Sequence, residues 1–560
     1  MRIYHQEDLF RAMALPDFYP HPVQNIRQRE THISKVFLTG DWVYKVKKAV
    51  DFGFLDFSTV NKRRRFCHRE CHLNRRLTTG VYQGVSPITH TKDGFQLDGA
   101  GAPVEYAVRM RQLPQNRSLS DRLATSRITP EFLLRLVSHL TTFYARQGAC
   151  PSARAAASFG NLRSACENNF QQTLPFVGSH LDKHLFAIVR TATRALLNHR
   201  RRLFEHRAEA GWIRDGHGDL RACHIYALPR SGIQVIDCIE FDDRLRLIDV
   251  VSDLAFLCMD LDFRGHSHLG SQLMEIYSRL TQDTEAFMVL PLYKCYRAMV
   301  RCKVSCLRWQ SVATIQGDTE MMAEARRYLN LAYRYAVAFS RPKIWAFSGL
   351  PASGKSTVAR AMSRTIKAPH LRSDAMRQRL FPTQPTDPPP SAFNSGIYAR
   401  VPKRLTYGKL LGQTLAVIKR GRSVIVDATF NRPEYRRELK RLARDRHLRL
   451  TFIECRAPSK VIKTRLRQRE THPALSQARL QDFSSFRRCF VPLGGAGLTA
   501  HIAVDTTCAP DECVRRILAE DDRLSTACMA SSLDQMPRGE EKGDRHVHIG
   551  GSRNRTGHRA

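Results

Sequence analysis

The segment Gly349-Leu350-Pro351-Ala352-Ser353-Gly354-Lys355-Ser356-Thr357 sets two glycines, an ammonium and a hydroxyl at the spacing G-x-x-x-x-G-K-S. Glycines let a backbone curl until its N–H groups surround phosphate oxygens. The Lys355 ammonium can then neutralise phosphate charge while the Ser356 hydroxyl ligates Mg²⁺. The flanks agree: Ile344-Trp345-Ala346-Phe347 reads as a strand running into the loop, and Thr357 opens a helical pattern. A chance Gly-rich turn seldom joins strand, Lys-Ser pair and helix, so the segment is expected to hold ATP with Mg²⁺.

Three clusters downstream suit transfer of a phosphoryl group. In His370-Leu371-Arg372-Ser373-Asp374-Ala375-Met376-Arg377 the Asp374 carboxylate could accept an acceptor's proton, with Arg377 one turn on to hold an acceptor anion. A helix N-cap at Ser373 or Asp374 is the plain alternative, and the two roles can coexist. Asp427 ends the strand-like Ser423-Val424-Ile425-Val426, where such sheets bind ligand, and could hold Mg²⁺ through water. Arg465 and Arg469 are four apart and share one helix face, either as a lid over phosphates or as a solvated basic surface.

Together these motifs resemble the P-loop kinase group that includes polynucleotide kinase, chloramphenicol phosphotransferase and zeta toxins, over about Lys343 to Leu518. The resemblance implies that Asp374 is the base and that Arg465 or Arg469 is the lid arginine. It is specific for the fold and silent on the acceptor.

A second constellation stands nearer the N-terminus. His217-Gly218-Asp219 precedes strand-like His224-Ile225-Tyr226, then Val235-Ile236-Asp237 follows, with Asp249 and Asp253 downstream. A structural turn could explain H-G-D alone, but the order resembles the catalytic loop and metal-binding Asp of aminoglycoside phosphotransferases, which have the protein-kinase-like fold. That resemblance makes Asp219 the base, Asp237 a Mg²⁺ ligand, Lys45 the phosphate-pairing lysine and Glu70 its ion-pair partner. Two positions depart from the pattern. Glu30 to Lys35 stands where a Gly-rich loop is expected, and His224 stands where a metal-binding Asn is expected. Imidazole is a poorer ligand than an amide oxygen for hard Mg²⁺, so Mn²⁺ is the better candidate there. The two units in this order resemble bacterial fusions of an aminoglycoside-phosphotransferase-like domain with a P-loop kinase.

The elements that must position these groups follow from patterning. Val36–Leu38 and Trp42–Val46 read as a hairpin with Gly40 at its turn, Lys62–Leu77 as a helix, and Val108–Met110 as a strand. Thr129-Pro130-Glu131 is a helix start, followed by apolar Leu133, Leu136, Val137, Leu140 and Phe143 at helical spacing. Helical patterns then dominate to about Phe339, interrupted near Asp215 to Asp249. Beyond Arg341-Pro342, β and α patterns alternate, with strands expected at 423–426 and 450–453, the signature of a parallel sheet. The expected fold class is a two-lobed α+β protein-kinase-like domain over 1–338, an α/β three-layer P-loop domain over 341–522, and a disordered tail over 523–560.

Bulk properties bound the rest. A chain of 560 residues, 42% apolar and 25% charged, is ordinary globular protein of several domains. With no long apolar run and no apolar h-region at the N-terminus, the expectation is a cytoplasmic protein without membrane contact. The fifteen cysteines lack a CxxC pair and read as reduced thiols. Cys67, His68, Cys71 and His72 could in principle meet a metal, though the pairs point in adjacent directions and an ordinary helix surface is the plainer reading. The net charge of +37 invites nucleic acid, but it is dispersed over every segment and not striped. The leading expectation is an ATP-dependent kinase of a small-molecule hydroxyl. An ATP-binding regulator with an N-terminal sensor is one alternative, and a polynucleotide or RNA kinase is another.

Overall fold

In the computed structural model the described residues are 5–533, apart from 52, 54, 93, 126–127, 149–158, 312–317, 383–393, 471–477 and 494–499. The first lobe is an antiparallel sheet of β1 (Arg27–Glu30), β2 (Ser34–Leu38), β3 (Trp42–Lys47), β4 (Tyr82–Thr91), β5 (Gly94–Leu97) and β6 (Pro103–Arg111). Its strand order is β1-β2-β3-β6-β4-β5. The β2–β3 hairpin pairs Leu38 with Val43, and Gly40 turns it at φ 100°, a conformation that costs glycine nothing. The helix Val60–Asn74 crosses β4 and β6. It buries Cys67 and Cys71 against the sheet and leaves His68 and His72 exposed. The two pairs therefore diverge and do not form a metal cluster, and the cysteines are packing residues.

The second lobe is helical. In the helix Pro130–Arg146 the Thr129 hydroxyl accepts from Phe132 N at 3.2 Å, and Leu133, Leu136, Val137, Leu140 and Phe143 are buried. The helix Val250–Phe263 is buried along nearly its whole length, under the paired helices Ala286–Ser311 and Asp318–Ser340. Two short ribbons interrupt the helices: β7 (Ile213–Asp215) with β10 (Leu247–Asp249), and β8 (Ile225–Leu228) with β9 (Gly232–Val235). The two lobes make a protein-kinase-like unit.

The last unit is a parallel sheet of β11 (Lys343–Ser348), β12 (His370–Arg372), β13 (Val424–Asp427), β14 (Arg449–Arg456) and β15 (His501–Asp505), ordered β12-β13-β11-β14-β15. Alternating residues of β11 serve opposite faces. Ile344 and Ala346 pack with Leu410 and Leu439. Trp345 and Phe347 pack with Val358, Met362, Val514 and Ile517. Helices thus cover both faces of this α/β P-loop sheet.

The core beneath Trp345 and Phe347 runs without a break into the helical lobe. The last described helix, Pro510–Leu533, forms this join, so the tail expected from residue 523 is helical as far as Leu533. Residues 534–560 lie outside the described part. Asp521 accepts from Thr451 Oγ1 at 2.8 Å and pairs with Lys343 at 3.4 Å and Arg449 at 3.5 Å, all at the base of the parallel sheet. Asp522 pairs with Lys294 of the helical lobe at 2.9 Å, and Lys294 also pairs with Asp262 at 2.7 Å. Lys294 and Asp262 are each only 2% exposed. Replacing Lys294 with Ala takes the shared buried cation from two carboxylates, and the stability measured by urea unfolding is expected to fall by about 3 kcal/mol. An unchanged unfolding midpoint would show that the join does not depend on this pair.

Candidate active site

Lys45 and Lys47 lie two apart on β3 and point the same way, toward the helix Val60–Asn74. Glu70 of that helix takes both, Lys45 at 2.9 Å and Lys47 at 2.7 Å. Lys45 Nζ also reaches Asp237 at 2.7 Å, and Lys47 reaches Glu240. Burial opposes the charge of Lys45, yet Asp237 and Glu70 hold its pKa well above the usual value. Glu70 is held below its usual range by the two lysines despite its own burial. Lys47 and Glu240 had no sequence motif to mark them; only the two-residue alternation along β3 singles out Lys47.

The turn His217-Gly218-Asp219 is held from below. Asp253 accepts from His217 N at 2.7 Å and Gly218 N at 2.9 Å, and Arg297 donates to Gly218 O at 3.0 Å. Gly216 has Asp253 Oδ2 only 2.8 Å from where a Cβ would sit, so the turn admits no side chain there. Asp219 is gripped by Arg221 at 2.9 Å on both oxygens; against burial, Arg221 and His224 hold its pKa far below the carboxylate range. His224 Nδ1 meets Asp219 O at 2.9 Å, which places a proton on Nδ1 and turns Nε2 toward Asp237 at 3.5 Å. Ligand atoms of Asp219, His224 and Asp237 lie within 4.8 Å of one another. Two carboxylates and an imidazole fit a divalent ion that tolerates nitrogen, Mn²⁺ better than Mg²⁺. Where a Gly-rich loop is missing, Thr31–Ile33 makes the short turn between β1 and β2.

At the C-terminal edge of the parallel sheet, β11 ends at Ser348 and the chain curls through Gly349 (φ 145°), Ala352 (φ 60°) and Gly354 (φ 91°). Side chains are sterically excluded at both glycines. A Cβ at Gly349 would lie 2.6 Å from Cys455 O, and one at Gly354 would lie 2.9 Å from Thr506 Cβ. Lys355 folds back over the loop, donating to Leu350 O at 2.9 Å. Its burial pushes the ammonium pKa down, although Asp427 and Asp374 act in the opposite direction. Among the described residues the Ser353 hydroxyl is buried with no hydrogen-bond partner, an orphan in the cradle that suits a phosphate oxygen.

Strand order brings the separate motifs together. β13 lies between β11 and β12, and Asp427 is level with Phe347 on one side and Arg372 on the other. Asp427 meets His370 Nε2 at 3.2 Å and the Ser356 hydroxyl; burial raises its pKa, but His370, Lys355 and Ser356 keep it below the usual range. Ser356 and Asp427 thus form an oxygen pair suited to Mg²⁺. Asp374 opens the helix Ser373–Leu380, whose N-cap is Arg372 with no side-chain cap bond, so the capping alternative for Ser373 or Asp374 is not found. Instead Asp374 accepts from Arg377 at 2.7 Å.

The two lid candidates separate. Arg465 is anchored on Thr506, donating to its carbonyl at 2.7 Å and its hydroxyl at 3.4 Å. Arg469 is half-buried among Asp374, Arg465, Arg372 and Asp427, and burial with the neighbouring cations lowers its pKa. Thr506 also donates to Ser353 O at 2.5 Å, tying β15 to the loop, and no sequence motif marks it. The Pro-rich stretch Pro382 to Pro390 suggests by composition a loop that walls off a small pocket, but residues 383–393 lie outside the described part.

Two measurements follow from this geometry. Gly354→Ala forces a Cβ onto Thr506 at a left-handed position, a strain of about 1–3 kcal/mol, and ATP affinity should fall roughly tenfold. Unchanged affinity would mean that the loop is not the nucleotide cradle. In full-length Lys355→Ala protein, residual nucleotide binding by the N-terminal unit should be tighter with Mn²⁺ than with Mg²⁺. Equal affinities would remove His224 as a ligand.

A family model described as an AAA domain matches residues 344–493. Among solved structures, a gluconokinase from Sinorhizobium meliloti 1021 is 21% identical, with 34% of this chain and 98% of that chain covered and a TM-score of 0.26. The GDP complex of aminoglycoside 2'-phosphotransferase-IIIa is 18% identical, with 59% and 99% covered and a TM-score of 0.38. Uncharacterized proteins of Mycobacterium tuberculosis and Mycobacterium bovis are each 31% identical over 453 residues, 80% of this chain and 87% of the relative. With that identity sustained across both units, the chain belongs to the same family as these uncharacterized mycobacterial proteins.

Proposed function

We propose that the chain is an ATP-dependent phosphotransferase whose transfer site is the C-terminal edge of the parallel sheet. The observation that carries this reading is a convergence: Lys355, the Ser356–Asp427 pair, Asp374 and Arg469 come from four separate segments and meet as electrostatic neighbours.

In this reading the loop N–H groups hold the terminal phosphates, with Lys355 lying across them. Mg²⁺, when bound at Ser356 and Asp427, supplies charge neutralisation of the phosphates. An acceptor hydroxyl points at Asp374, whose carboxylate takes the proton as the oxygen attacks the γ-phosphorus and the bond to ADP breaks. Arg377 orients Asp374 through the 2.7 Å bond. Arg469 stands where charge builds on the transferred group, and Arg465 is fixed beside Gly354. We read the acceptor as a small molecule.

A second reading concerns the N-terminal unit, as a nucleotide-binding sensor that does not transfer phosphate. It is favoured by the internal pairing there: Lys45 holds Asp237, and Arg221 holds both oxygens of Asp219.

Lys355→Ala is expected to abolish ATP turnover with the fold intact by circular dichroism. Asp374→Asn should spare ATP binding and slow transfer by about 10²-fold or more. If Asp374→Asn weakens ATP affinity as much as it slows transfer, the residue holds metal or structure and is not the base. If Lys355→Ala keeps turnover that Asp219→Asn then removes, transfer belongs to the N-terminal unit.

A further inference from the structure

The helix Arg400–Lys419 hands the chain to β13 through Arg420 and Arg422, and the helix Pro433–Asp445 hands it to β14 through Arg446. β11 starts at Lys343, just past Arg341. Ile344 is level with Val424 and Lys343 with Arg449, so the approaches to β13, β11 and β14 lie side by side. Lys343 N donates to Ser423 Oγ at 3.0 Å and Arg341 donates to His447 O at 3.3 Å, which fixes the three approaches to one another. They form the edge of the sheet opposite the phosphate loop, roughly 17 Å away along β11.

Arg341, Lys419, Arg420, Arg422, Arg444 and Arg446 stand on this edge, all exposed. They come from separate segments, so charge that is dispersed along the sequence is gathered by strand order. Asp445, 3.6 Å from Arg444, is the one exposed carboxylate on the same approaches among the described residues. Lys419, Arg420, Arg422 and Arg446 pair with no carboxylate among those residues. Helix dipoles favour cations at C-terminal ends and account for part of this. They do not account for Arg422, which lies beyond the cap Arg420, or for the shortage of acids. The edge runs into a crevice between the units, where Arg341, Lys343 and Ser423 line a cavity of about 120 Å³ with Arg200 of the helical lobe. Asp521 and Asp522 also line it, already held by Lys343, Arg449 and Lys294.

We propose that this edge docks a nucleic-acid strand by its phosphodiester backbone, without reading its bases. The cations spread across three strands, about 10 Å, and suit a chain of regularly spaced charges more than one small anion. An anionic membrane would call for apolar side chains beside the cations. The exposed apolar residues of these two helices, Val401 and Leu405, lie at the far end of the first one. The inference does not depend on the phosphotransferase reading, and a strand docked here leaves the Lys355 loop free.

The test reads the fluorescence anisotropy of a labelled single-stranded RNA of about twenty nucleotides with the full-length protein at about 0.15 M salt. Arg420→Glu, Arg422→Glu and Arg446→Glu combined should weaken binding by about tenfold or more and reduce the slope of log affinity against log salt by about 2. Arg135→Glu, Arg146→Glu and Arg230→Glu combined make the same change of net charge at exposed sites of the protein-kinase-like unit. That control should weaken binding less than about threefold, because salt screens charges far from the strand. Circular dichroism and ATP turnover should be unchanged in both. If the first triple does not fold, Gln at the same three positions carries the test, with a loss of about fivefold or more. The proposal is overturned if the RNA does not bind wild type, or if the two triples weaken binding equally. It is also overturned if phosphatidylserine vesicles bind through these arginines and the RNA does not.

Discussion

Two adjacent acids on one helix, Asp521 and Asp522, set the constraint on which the rest of the molecule depends. Both sit in the join between units, Asp521 buried and Asp522 half-buried, and each pairs with a cation, since a carboxylate drawn out of water is costly to leave unpaired. Asp521 finds Lys343 and Arg449 at the base of the parallel sheet; they hold it ionised, against burial. Asp522 finds Lys294, itself tied to Asp262 of the helix that also carries Asp253. One helix therefore grips the sheet that ends in the phosphate loop and the helices that hold the His217–Asp219 turn. Its approach from β15 passes Thr506, which is bonded to Ser353 of the loop.

The two sites joined in this way differ in their electrostatics. In the N-terminal unit, cations and carboxylates of the chain satisfy one another: Lys45 with Glu70 and Asp237, Arg221 with Asp219. A nucleotide entering there must break pairs already made. At the parallel sheet the loop presents an orphaned Ser353 hydroxyl and a lysine depressed by burial, with arginines beside Asp374. That site is short of negative charge, as a site for phosphates should be. This asymmetry is why transfer is assigned to the C-terminal unit.

The phosphate loop was legible because its chemistry is contiguous: strand, glycines, Lys355 and Ser356 follow one another in the chain. Asp374 and Asp427 were legible as types, but only the order β12-β13-β11 brings them to one edge. The Lys45–Glu70 pair came from a resemblance, while the role of Lys47 in sharing Glu70 depends on a contact across 23 residues that no local pattern records. The end of the last helix was misread for a related reason. The tail was expected from residue 523 because the sequence there turns polar, yet the helix runs on to Leu533 and is held just before that point by Asp521 and Asp522, whose partners Lys343 and Lys294 come from distant segments. Cys67 and Cys71 likewise showed their purpose only once the sheet beneath them was in place.

The central claim is that phosphate leaves ATP for a hydroxyl acceptor at the Lys355 loop. The most direct measurement incubates full-length protein with a metabolite extract and ATP labelled with oxygen-18 on its γ-phosphate, and reads products by mass spectrometry. The account predicts a compound that gains a phosphoryl group bearing the label, formed by wild type and absent with Lys355→Ala. Label recovered only as inorganic phosphate, or a product still formed by Lys355→Ala, would contradict it.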